Sequence, residues 1–127
     1  MTVLTPQVIL TQAADLIERQ GLTKNQYIST YDDNLDSCSF CVEGALRKVA
    51  TGYASTISVD HPEFNEAEVL LADVVKPGWR TEDRFGNPTA PHGDAYAFNV
   101  LTRWNDDPER TQEEVVAALR AAAEDGQ

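Results

Sequence analysis

The chain has little of what most catalytic and structural scaffolds are built from: two cysteines, two histidines and one methionine in 127 residues. The cysteines stand three apart, Cys38 and Cys41. A bridge between them closes a loop too small to staple a secreted fold, so no disulfide scaffold is implied. Basic residues are also scarce, 10 Lys and Arg against 21 Asp and Glu for a formal net charge of −11. That balance argues against unassisted binding to nucleic acid or to an anionic membrane, because the phosphates would repel the surface. No run approaches the ~18 apolar residues of a membrane span. Nor does the start carry a basic region followed by an apolar one, so a cytoplasmic location is expected. Phosphate-cradling glycine loops, nucleophile elbows and paired-histidine metalloprotease motifs are missing as well.

What is present suits one domain over residues 1–127. Hydrophobic residues make up 42% of the chain, enough for a real core at this length. The acids are spread along the chain rather than run together, and a solvated surface is their simplest reading. An acidic surface also suits a basic protein partner or mimicry of DNA.

Residues 38–50, CSFCVEGALRKVA, carry the clearest helical stripe and are expected to form the central helix. Cys38, Cys41, Val42, Ala45, Leu46 and Val49 recur at helical spacing, with Glu43, Arg47 and Lys48 on the face expected to meet water. Gly44 and Ala45 would let a neighbouring helix approach closely. Earlier, Thr5-Pro6 is an N-cap followed by proline at the first helical position, and Gly21 ends that helix. Residues 22–36 have a weaker pattern, a short helix or an extended piece followed by a polar loop. The β-branched run 53–59 leaves room for a short strand but has no clear partner. Further helices are predicted near 65–75, 94–105 and 112–124, the last opened by a Thr111–Glu114 capping box. Between them, residues 79–93 are broken by prolines and glycines and read as a long loop, a length usually reserved for function. The expected fold is therefore all-α, a single compact domain of five helices near 6–20, 38–51, 65–75, 94–105 and 112–124.

Three patches bear a family resemblance: Ala13 to Ile17, Phe40-Cys41-Val42-Glu43-Gly44-Ala45-Leu46, and Trp104-Asn105-Asp106 followed by Arg110-Thr111 and Glu114-Val115. Together they resemble a family of small, mostly helical proteins of unknown function from actinobacteria and their phages and mobile elements. Residues 53–93 carry none of the resemblance. Where the family often places an aromatic between two cysteines, Ser39 takes the first cysteine's place here and a cysteine stands one position earlier, at Cys38. The resemblance implies origin and fold, and no mechanism.

Four constellations are candidates for chemistry. Cys41, in the first turn of its helix, has the helix dipole to favour a thiolate, with His92 as base and Asp94 to orient it, as in a cysteine-dependent hydrolase. Its place on an apolar stripe makes core packing the simpler reading. Cys38, Cys41, His61 and His92 form a Cys₂His₂ set, but the histidines are about 30 residues apart, whereas zinc modules keep their second pair close; no metal and no cofactor are expected. The turn Trp104, Asn105, Asp106 to Arg110 reads as a helix–helix junction, or as an acidic knuckle offered to a basic partner. Finally, Trp79, Arg80, Arg84, Phe85 and His92 combine aromatics and charge on the long loop, the residue types of binding hot spots. The leading expectation is a cytoplasmic, non-enzymatic binding protein, phage-encoded and acting on a host protein through the 79–93 loop and the 104–110 turn. The cysteine hydrolase and an acidic DNA mimic are the alternatives.

Overall fold

The computed structural model describes residues 4–30, 32, 34–54, 61–79, 81–82, 88–89 and 97–125. The elements in order are α1 (Pro6–Gln20), α2 (Val42–Thr51), α3 (Pro62–Val75), β1 (Thr81–Glu82), β2 (Pro88–Thr89), α4 (Ala97–Asp106) and α5 (Gln112–Asp125). The all-α fold stands: among the described residues five helices enclose one core, and β1 and β2 form a two-residue antiparallel ladder within the long loop. Arg80, Arg84, Phe85, His92 and Asp94 lie outside the described residues, as does most of the 53–59 run.

Local chemistry sets the ends of α1. Thr5 Oγ1 accepts from Val8 N at 3.1 Å, Pro6 opens the first turn, and Gly21 N–H closes it by bonding Ile17 O at 2.7 Å. Ile9, Leu10, Ala13, Ala14, Leu16 and Ile17 are all buried. Through them α1 packs against α5, α2 and α3. The helix at the centre of the packing is therefore α1, not residues 38–50, because α1 is apolar over the wider arc.

The predicted helix over 38–51 is shorter than its stripe. Cys41 is extended, with φ −77° and ψ 171°, and serves as N-cap, so α2 starts at Val42 and Cys38 precedes it. The preceding residues pair instead of coiling. Phe40 bridges Leu22 on one side and Ile28 on the other, with Thr23 N–H donating to Phe40 O at 2.9 Å and Phe40 N–H to Gly21 O at 3.1 Å. This settles the ambiguous 22–36 stretch in favour of extended backbone at 22 and 28, whose free backbone groups need these partners.

α3 begins three residues before the predicted start, since His61 Nδ1 accepts from Phe64 N at 3.2 Å and Pro62 fills the first turn. Helix α5 opens with the capping box: Glu114 N–H donates to Thr111 Oγ1 at 3.2 Å and Thr111 N–H to Glu114 Oε1 at 3.0 Å. The Thr111 N–H and the Thr111 hydroxyl, both bonded to Glu114 Oε1, lower the Glu114 carboxyl from its ordinary value. Trp79, expected on a binding loop, is buried, and its indole Nε1–H donates to Asp73 Oδ1 at 2.9 Å. A ring of that area is better spent closing the core under α3.

Candidate functional site

Three segments meet at the first turn of α2. Cys41 N–H donates to Tyr27 O at 3.1 Å, and Cys41 Sγ accepts from Gly44 N at 3.2 Å. From α4, the buried Asn105 supplies the second cap, its Oδ1 accepting from Val42 N at 2.9 Å. Its amide nitrogen donates to Thr23 O and to Asp106 Oδ1, each at 3.1 Å, and Asp106 Oδ1 also accepts from Asn25 N at 2.8 Å. Asn105 thus satisfies an orphan N–H of α2 and a loop carbonyl at once. Truncation to alanine leaves the buried Val42 N–H and the part-buried Thr23 carbonyl unpaired, so Asn105→Ala should lose about 2–3 kcal/mol in urea denaturation. Asn105→Asp keeps the acceptor, forfeits the donor to Thr23 and sets a second acid beside Asp106, so it should not rescue.

Between these segments lies a pocket of about 240 Å³, with Asn25 and Gln26 at one side, Tyr27, Cys41, Val42 and Glu43 along α2, and Thr102, Asn105 and Asp106 from α4. Its charged lining residues, Glu43 and Asp106, are both acids.

Behind the pocket is a cluster that reverses the expectation of a wet face on α2. Glu43 is 0% exposed and Arg47 6% exposed. Arg47 Nε donates to Glu43 Oε2 at 3.3 Å. The guanidinium carbon stands 5.0 Å from the Tyr27 ring centroid, 5.4 Å from that of Phe98 and 5.9 Å from that of Phe64. A desolvated guanidinium among ring faces is favourable, which is why the charge tolerates this burial. Burial first, then the neighbouring Glu68 on α3, hold the Glu43 carboxyl well above the ordinary carboxylate range, with Arg47 opposing. The sequence did carry a signal: apart from Glu43, residues 40–46 hold no charge, so the start of α2 is apolar on every side and is covered all round.

Cys41 does not gain from the helix dipole. Burial pushes its thiol up to about 11, only partly offset by the bond from Gly44 N–H. Cys38 is buried, its Sγ–H directed at Ser39 O at 3.4 Å. With His61 spent as a cap, no group of three His, Cys, Asp or Glu stands together for a metal ion among the described residues. No described helix is long and apolar enough to cross a membrane.

The 104–110 turn is a well-tied junction. The Arg110 guanidinium stacks 4.4 Å from the half-buried Trp104 ring, donates through Nε to Trp104 O at 3.1 Å, and pairs with Glu114 at 3.2 Å. Lys24 Nζ donates to Asp107 O, which ties the turn to the 22–28 segment. Of the residues singled out from sequence, the structure brings Cys41, Asn105 and Asp106 to one pocket and leaves Trp79, Trp104 and His61 elsewhere. Glu43, Arg47, Glu68 and Tyr27 were not among them.

The chain belongs to the family of unknown function DUF6197, whose model matches residues 1–125. An uncharacterised family was expected from the motifs, and the match spans residues 53–93, where the motifs carried no resemblance. No curated protein and no solved structure matches the chain.

Proposed function

From membership of a family that brings no activity with it, we propose that this is a non-enzymatic binding protein that takes a basic protein partner where the pocket opens beside the 104–110 turn. The observation that carries this reading is that pocket and turn share Asn105 and Asp106, so that a concave site and an acidic knuckle form one continuous face. The net charge of −11 favours a basic partner and speeds encounter with it. With the origin implied by the motifs, the chain is phage-encoded or borne on a mobile element, and its partner is an actinobacterial host protein met in the cytoplasm. Arg80, Arg84 and Phe85 are the sequence-based candidates for a second contact.

The cysteine-hydrolase alternative draws less support from the geometry. Cys41 is 4% exposed, and its sulfur is occupied as a cap acceptor with the thiol held neutral. The test is capture of a partner from nuclease-treated actinobacterial lysate by the wild-type chain and by a Gln26→Lys/Glu109→Lys variant. Both residues are exposed, one at the pocket and one in the turn. The wild type should retain a stoichiometric basic partner, and the double variant should retain at least about 10-fold less, the scale of a lost set of favourable charge contacts. Equal capture by both proteins overturns the reading. A captured DNA-binding protein released by moderate salt moves it to mimicry of DNA.

A further inference from the structure

Among the described residues two large hydrophobic side chains stand in water, Leu35 at 37% and Tyr53 at 65% exposed. One lysine brings them to the same face. Lys48 Nζ donates to Asn34 Oδ1 at 2.8 Å and to Gly52 O at 3.1 Å, so the residue before Leu35 and the residue before Tyr53 are held on one ammonium group. Gln20 Nε2 fastens the same loop to the end of α1 through Leu35 O at 3.3 Å. Single apolar side chains are ordinary on a surface, whereas two tied to one point form the start of a contact patch.

The same lysine borders a groove of about 270 Å³ between α1 and α2, lined by Gln12, Asp15, Leu16, Arg19, Lys48 and Val49. Leu16, buried, and Val49, half-buried, give it an apolar base. Its rim is basic: Asp15 is met by Arg120 at 3.3 Å, which leaves Arg19 and Lys48 to set the sign. The loop that carries Leu35 has the opposite sign, with Asp32 and Asp36. Apolar knobs, one of them on an acidic loop, and an apolar groove with a basic rim therefore lie side by side. A surface holding both halves of a contact is what a two-fold axis requires, because each copy offers its knobs to the other's groove and receives a pair in return.

We propose that the occupant of this groove is a second copy of the chain, in an isologous dimer in which Leu35 and Tyr53 of each copy cover the α1–α2 groove of the other. The acidic loop of one copy then meets the basic rim of its partner, and Arg19 meets the partner's Tyr53 ring. Arginine and tyrosine are enriched at such contacts, and a guanidinium over an aromatic face adds attraction beyond the area covered. The pocket beside the 104–110 turn shares no lining residue with this groove, so the dimer goes beyond the binding-protein reading and does not depend on it. With two exposed apolar side chains from each copy at its centre, the interface is a small one, and association belongs between about 10 µM and about 1 mM.

The experiment is sedimentation equilibrium of the full chain across that range, at an ionic strength that screens the −11 charge on each copy. The mass should rise from one chain toward two. Amide chemical shifts should move with concentration at Gln12, Leu16, Arg19, Leu35 and Tyr53, and stay fixed at Thr102 and Asn105 in the other pocket. Leu35→Ser/Tyr53→Ser should raise the dissociation constant at least about 10-fold by removing both knobs. Arg19→Glu should do the same, since it sets an acid against the partner's acidic loop. All three residues are exposed, so both variants should keep the urea midpoint of the wild type, and the concentration-dependent shifts of the wild type test the face without any substitution. A single-chain mass at every concentration overturns the proposal. So does a dimer that either variant leaves intact, or a set of concentration-dependent shifts confined to other residues.

Discussion

Gly44→Ala is expected to lower the stability of this protein by about 3 kcal/mol and its Tm by more than about 10 °C, although alanine is the better helix former by about 1 kcal/mol. A Cβ built at Gly44 falls 2.2 Å from Tyr27 O and 3.0 Å from Tyr27 C. Both are backbone atoms, so no rotamer change relieves the contact. Nor is the Tyr27 carbonyl at liberty to move, because it accepts the Cys41 N–H at 3.1 Å, and the flanking residues are paired through Thr23 N to Phe40 O and Ser29 N to Ser39 O. The methyl group therefore pushes the 22–29 segment off the start of α2 and takes the pocket wall with it. Gly52→Ala is the control. It ends α2 at φ 90° with nothing within 4 Å of an added Cβ, so its expected loss is the left-handed backbone term alone, about 1 kcal/mol. Urea denaturation of the two variants decides the point: losses of equal size would mean that close approach is not what Gly44 provides.

The same glycine marks the boundary between what was legible in the sequence and what was not. Where a helix end is fixed by residues adjacent in the chain, the reading holds. Thr5-Pro6 and Gly21 bound α1, and Thr111 with Glu114 opens α5, because a cap is a bond between neighbours. The start of α2 was read too early, since Cys41 is an unusual cap and its second cap, Asn105, comes from 63 residues away. Gly44 was read correctly as a site of close approach, but what approaches is a backbone carbonyl of the 21–30 segment and not a helix. Periodicity failed most clearly at Glu43 and Arg47. A charge pair four apart on a helix normally lies in water, and here the rings of Tyr27, Phe64 and Phe98, from three other segments, favour its burial. Asn105 and Asp106 were singled out for the turn they occupy. Their role at the pocket depends on tertiary pairing with Thr23 and Asn25, which local pattern does not encode.

Arg47→Met keeps most of the volume and removes the cation, so its cost separates the two things Arg47 does. At neutral to alkaline pH the variant should be less stable by about 3–5 kcal/mol, the usual penalty for stranding a buried partner charge. Packing against the three rings contributes to that loss at every pH. The stranded charge does not. As pH falls toward the ordinary glutamate value of 4.5, Glu43, which titrates well above it, is protonated and the penalty shrinks. The wild type shows the same dependence in weaker form. Because Glu43 titrates higher folded than unfolded, its contribution is fully present below 4.5 and is lost as pH rises through the folded value. Glu43→Gln, which holds a neutral hydrogen-bonding group there at all pH, should flatten that decline. Combined with Arg47→Met it should recover at least about 1 kcal/mol of the loss at alkaline pH, a coupling expected of residues in direct contact. The four proteins compared by urea denaturation across pH form a complete cycle. If Arg47→Met costs the same at acid and alkaline pH, Arg47 serves chiefly as a filler among the rings, and the Glu43–Glu68 pair does not depend on it for charge balance.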